Sequence, residues 1–138
     1  MEIHSVQPSH PGQATTFTGL VWRTPIHEGS APGFLSLNLI HFTPESRTAW
    51  HTHDFGQTLV VVEGEGVVQV RGARAHWLGA GDVVAASPGE EHWHGADGEH
   101  FMVHYSLVEG HPDRPAVQWG THVSDGEYQA ALEQLGES

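Results

Sequence analysis

Apolar and polar positions alternate along most of this chain in short runs, separated by glycine, proline and acidic residues. "FTGLVW" (17–22) and "FLSLNLIHF" (34–42) read as strands joined by a Pro/Gly/Ser loop, and "TPESR" turns the chain into "TAWHTH". "QTLVVV" runs into "EGEG", which reads as a turn from which "VVQV" returns. The Gly-rich "LGAGD" then leads into "VVAAS", "PGEEHWHG" and "HFMVHYSLV". About eight short strands with turns every ~8 to 12 residues predict an all-β barrel or sandwich. Only one stretch has a helical period. Ser124 and Glu127 form an S-x-x-E capping box ahead of Tyr128, Ala131, Leu132 and Leu135, which predicts a short C-terminal helix over 124–135 packed on the barrel. Residues 1–16 read as a polar arm, 17–108 as the barrel and 110–120 as a connection, with no internal repeat.

At 138 residues the expectation is a single domain over 1–138. Its formal charge of −12, with all five basic residues arginine, offers no cationic stripe and excludes nucleic acid or an anionic membrane as partner. No apolar run approaches the roughly 18 residues of a membrane span. The start "MEIHSVQPSH" has neither a basic n-region nor an apolar h-region, so a cytoplasmic location is expected. The chain has no cysteine and no lysine, which removes thiolate nucleophiles, disulfide relays, cysteine-ligated iron–sulfur clusters and lysine Schiff bases. Catalysis, if present, falls to histidine, carboxylates or a metal.

Thirteen histidines make H-x-H pairs common, since chance alone supplies ~1. The strand setting of His51/His53 and His92/His94 says more: residues i and i+2 point to one face, so each pair projects two imidazoles into one space. Gln57 shares the parity of His51 and His53. A barrel gathering His51, His53, Gln57 and His92 on its inner face offers three imidazole nitrogens and one amide oxygen, with coordination positions left open. His41 points outward if Asn38, Ile40 and Phe42 point inward. His104 is either a buried imidazole satisfied by a neighbour or a cavity wall. His4, His10, His27, His76, His100, His111 and His122 lie in polar or turn-rich stretches and are expected at the surface or in structural hydrogen bonds.

"HTHDFGQTLVVVEG" has the spacing H-x-H-x3-Q-x6-G, and "GDVVAASPGEEHWHG" has G-D followed by P-G-x2-H. Together they resemble the two motifs of the cupin superfamily, a double-stranded β-helix (jelly-roll) barrel. The resemblance implies a divalent metal held by His51, His53, Gln57 and His92, with Gly64 as the closing glycine of the first motif. Gln57 departs from the glutamate most cupins carry. "TAWHTH" with "GQTL", and "SPGEEHWHGA", are similar to bacterial cupin-type hydroxynitrile lyases, manganese proteins with a glutamine ligand that cleave and form (R)-mandelonitrile. That likeness runs from "FTG" near residue 17 to "HVSDGEY" and implies cavity roles for Thr48, His94 and His104.

Three histidines and a glutamine leave a divalent ion its full formal charge, whereas a glutamate would halve it, so the set favours Lewis-acid over redox chemistry. His94, on the face of His92 but two residues further on, is the candidate base. His104 would share that role or hold cyanide. Thr48, placed on the face of His51, would donate a hydrogen bond to nitrile or alkoxide. Ile40, Leu59, Val61 and Met102 are expected as an apolar wall for an aryl group. The expected function is therefore a metal-dependent, hydroxynitrile lyase-type enzyme acting on a small-molecule substrate. Manganese is the first-choice ion, with Fe, Ni, Co or Zn as others the N/O donors admit. A metal-dependent dioxygenase and a non-catalytic small-molecule-binding cupin are the alternatives. A homodimer or larger homo-oligomer is expected through sheet augmentation by the arm and the outward Val60 and Val62.

Overall fold

The computed structural model describes residues 1–136. Its strands are β1 (His10–Pro11), β2 (Phe17–Thr18), β3 (Val21–Glu28), β4 (Leu35–Phe42), β5 (Arg47–Thr48), β6 (His51–His53) and β7 (Gln57–Val70). They continue with β8 (His76–Gly79), β9 (Val83–Ala86), β10 (His92–Ala96), β11 (Met102–Glu109) and β12 (Val117–Trp119), before the helix α1 (Asp125–Gln134). The main path is β1-β3-β4-β11-β7-β10-β5-β2, antiparallel at each step, with β12 paired to β6 and β6 to β10.

The long strand β7 closes this barrel. Residues 57–64 pair with β11 and 66–70 pair with β10, so one strand belongs to both halves of the sheet. The segment "EGEG" is therefore a corner inside a strand, and "VVQV" continues forward instead of returning. Gly64 sits at a φ of +78° with the Phe101 carbonyl where a side chain would go, and Gly66 faces Met102 and the Gly95 carbonyl. Glycines spaced like a turn here let a strand bend at close quarters.

Two further expectations change. "FTGLVW" is broken at Gly19, φ +82°, into the ends of two strands. The connection 110–120 contains β12, whose Val117 and Trp119 pair with His53 and His51. That segment carries too little apolar alternation to announce a strand, and its partner supplies the missing order.

Apolar packing is concentrated at one end of the barrel, where Val21, Phe42, Val61, Ala96 and Met102 are buried together. Trp50, Val67, Trp93, Tyr128, Ala131 and Leu132 form a second cluster beneath α1. The helix begins as its capping box predicts, with Ser124 and Glu127 each bonded to the other's backbone N–H. Buried Arg47 ties it down: the guanidinium donates to the Val123 carbonyl at 2.9 Å and to Asp125 at 2.8 Å, and lies 4.5 Å from the Tyr128 ring centre. These two clusters fill the barrel's closed end and flank and leave its other end open.

Candidate metal centre

The open end holds a cavity of about 490 Å³ between the two halves of the sheet. His51 on β6 lies opposite His92 on β10, so pairing brings the two motifs' histidines together although they are 41 residues apart in the chain. His53 follows on the same face of β6, and Gln57 enters from the first residue of β7. Candidate ligand nitrogens of His51, His53 and His92 all lie within 4.8 Å of one another, and all three residues are buried.

Backbone carbonyls set the tautomers. Nδ1 of His51 donates to Ala49 O at 2.8 Å, Nδ1 of His53 to Ala116 O at 3.1 Å and Nδ1 of His92 to Glu90 O at 2.8 Å. A neutral imidazole with hydrogen on Nδ1 has a bare lone pair on Nε2. Gln57 is oriented likewise, because its Nε2 donates to Ser106 Oγ at 2.9 Å and its Oε1 lies 3.0 Å from His92 Nε2. An amide oxygen and a bare nitrogen repel at that distance unless a cation lies between them. Three Å is also the spacing of neighbouring ligands at about 2.1 Å and right angles around one ion. The buried Nε2 of His53 has no hydrogen-bond partner among the described residues. These donors fit a divalent metal.

Burial keeps this set neutral. It is the main cause lowering His51 to about 3 and His53 to about 4, with the neighbouring His92 adding to both; His92 itself is lowered chiefly by burial. A second imidazole pair stands beside it. His94 Nδ1 and His104 Nε2 are 3.0 Å apart, and both rings are buried. Burial, and then each ring's proximity to other histidines, holds His94 well below its usual value, and burial lowers His104 to about 4. His94 Nε2 and His104 Nδ1 lack hydrogen-bond partners among the described residues. His104 is thus both buried and a cavity wall.

Thr48 also lines the cavity, and its Oγ1 accepts from the His94 backbone N–H at 3.2 Å, leaving its own hydrogen free to donate. It lies three residues before His51, which strict alternation would put on the opposite face. The irregular Ala49–Trp50 link between β5 and β6 resets the phase.

The apolar wall differs from expectation. Ile40 lines the cavity, but Leu59, Val61 and Met102 do not; the last two belong to the closed-end core. Alternation places a residue inside the barrel without saying how far along its axis. The aromatic lining comes from Phe17 and Trp119, 6.0 Å apart by ring centres, with Trp119 4.8 Å from His51. His10 is exposed, as expected, and also lines the mouth, because β1 pairs with β3. His41 is exposed, as expected, and stacks on Phe101. Ser106 was not singled out from the sequence, although its i+2 relation to His104 marks it as inward.

Comparison with known proteins places this arrangement. The cupin domain family matches residues 38–108. The chain is 43% identical over 130 residues to an (R)-mandelonitrile lyase from Granulicella tundricola, covering 93% of this chain and 98% of that protein. A solved cupin-like protein from Thermotoga maritima is 32% identical with a TM-score of 0.83, over 95% of this chain and 97% of the other. A cupin-2 domain protein from Rhodospirillum rubrum shares the fold, with a TM-score of 0.70 at 16% identity over 98% and 94% of the two chains. By its matched motifs, its barrel and its relatives, the chain belongs to the cupin family.

Proposed function

We propose that this cupin is a manganese-dependent hydroxynitrile lyase that cleaves and forms cyanohydrins of the mandelonitrile class. The observation that carries the reading is the 43% identity, along nearly the whole chain, to an enzyme named for that activity. The geometry supports it. His51, His53 and His92, through Nε2, and Gln57, through Oε1, would hold the ion. When bound, a divalent metal in this neutral set supplies Lewis acidity toward the substrate oxygen.

The remaining chemistry falls to the chain's own groups. His94, kept neutral by burial, takes the substrate hydroxyl proton at Nε2. The electron pair of the C–CN bond leaves with cyanide as the carbonyl forms, and cyanide then takes the proton to leave as hydrogen cyanide. While His94 holds that proton, its Nδ1–H is shared with His104 Nε2, spreading the charge over two rings. The Thr48 hydroxyl donates to the nitrile nitrogen. Phe17 and Trp119 flank the space for an aryl group.

Benzaldehyde release from racemic mandelonitrile near pH 5, where spontaneous cleavage is slow, tests the reading. Manganese-loaded protein is expected to release it, and metal-free protein is not. His92→Ala is expected to lose metal and activity together, whereas His94→Ala should retain metal and lose about 100-fold or more in rate. No release above background from loaded protein refutes the lyase. Full turnover by His94→Ala removes His94 as the base.

A further inference from the structure

Among the described residues, Arg23 is the one arginine in the cavity lining, which has no lysine. Against 17 acidic residues the chain carries five arginines, and four of these are engaged. Arg47 bonds Asp125, Arg71 pairs with Glu91, Arg114 with Asp54, and Arg74 donates to the Gln134 carbonyl. Arg23 forms no ion pair among the described residues, although Glu28 lines a groove on its other side. The Arg23 side chain donates only to a neutral acceptor, from Nη1 to Asn38 Oδ1 at 3.3 Å.

Strand register aims this arginine at the site. Arg23 on β3 lies opposite Ile40 on β4, and Ile40 lies opposite His104 on β11. Directly paired residues of antiparallel strands share a face. Arg23 therefore rises from the same face as His104 with one strand between them, roughly 10 Å away at ~4.8 Å per strand. Arg23, Ser36 and Asn38 together line the cavity and also a second groove on the outer side of the same rim. The cavity thus runs from the buried imidazoles at one end to the Arg23 guanidinium, Ser36, Asn38 and the exposed His10 at the other.

A guanidinium presents five donors in a planar fork that matches a carboxylate, and most of those on Arg23 have no partner. Its contact with Asn38 Oδ1 orients the fork and leaves the Asn38 amide N–H groups free to donate alongside it. The chain's formal charge of −12 repels anions in general, so apart from the metal centre itself Arg23 is the group in the cavity lining that attracts a carboxylate. We infer that Arg23 and Asn38 form a carboxylate-binding subsite at the cavity mouth, beside His10, and that the substrates are carbonyl compounds or cyanohydrins carrying an anionic group at the end remote from His94 and His104. The identity of the reacting end rests on the lyase reading; the anionic end does not.

Calorimetric titration of manganese-loaded protein with 4-formylbenzoate and with its neutral amide, 4-formylbenzamide, tests the subsite. The wild type is expected to bind the carboxylate about tenfold more tightly than the amide. That ratio should shrink at high salt, fall to about one in Arg23→Gln and be intermediate in Arg23→Lys, which keeps the charge without the fork. A ratio near one in the wild type, or one unchanged in Arg23→Gln, overturns the inference. Turnover of the matching cyanohydrins separates the two readings. Arg23-dependent carboxylate binding without cyanohydrin cleavage upholds the subsite and refutes the lyase. Cleavage with equal affinities for the two aldehydes does the reverse.

Discussion

In the proposed centre Gln57 would do with orientation what most metal carboxylates do with charge. Its amide can face either way, and here Nε2 donates to Ser106 Oγ while Oε1 lies toward His92, the orientation that a cation among the histidines favours. The three histidines depend in the same manner on the carbonyls of Ala49, Glu90 and Ala116. Outer partners of this kind fix the ligand atom presented and typically carry 10- to 100-fold in metal affinity, roughly. Ser106→Ala should therefore keep the barrel and weaken manganese binding about tenfold, measured by competition with a fluorescent chelator. Unchanged affinity would mean that the amide finds its orientation without the hydroxyl. The convergence of His51, His53 and Gln57 on one face was legible in the sequence because side-chain parity on a strand is local. Ser106 was not, because its role exists only where β11 meets β7.

At the scale of elements, the corner in β7 governs whether the two halves of the site meet. Gln57 lies before the corner, paired to β11, while residues beyond it pair with β10, which carries His92 and His94. Gly64 combines a left-handed φ of +78° with backbone packed against the place of its missing side chain. Gly64→Ala is expected to cost roughly 3 kcal/mol or more from backbone strain and overpacking together, lowering the urea midpoint of unfolding. A loss under about 1 kcal/mol would show that the corner relaxes easily. Glycine in a Val-rich run signals both a reversal and a bend. The choice between them is made by the strands on either side, which lie tens of residues away in the chain.

For the molecule as a whole, a cluster of buried neutral histidines makes stability depend on pH. Burial lowers His51 to about 3 and both His53 and His104 to about 4, against an unfolded value near 6.5. Between about pH 6.5 and 4 the unfolded chain binds more protons than the folded one. The stability these groups contribute is therefore fully present above pH 6.5 and declines as the pH falls. Metal-free protein should show a urea midpoint that drops steadily from pH 7 to 4.5. Manganese at about 100 times its Kd should add about 2.7 kcal/mol at pH 7, an increment that EDTA abolishes. A flat midpoint over this range in metal-free protein would contradict neutral burial of the cluster.

Several properties of this cupin are written locally and follow from the sequence alone: the β-rich class, the helix with its capping box, the exclusion of thiol and lysine chemistry, and the inward parity of His51, His53, Gln57, His92 and His94. Each depends on residues within a few positions of one another, where backbone geometry alone sets direction. Tertiary structure decided the rest. It made one strand of "QTLVVVEGEGVVQV", drew β12 out of an unpatterned connection, brought Thr48 into the cavity through an irregular link, and moved Val61 and Met102 from the cavity wall into the core. It also set Arg23 two strands from His104. Depth along a barrel axis and the company a side chain keeps arise from pairings between distant segments, and no local pattern of apolar and polar residues encodes them.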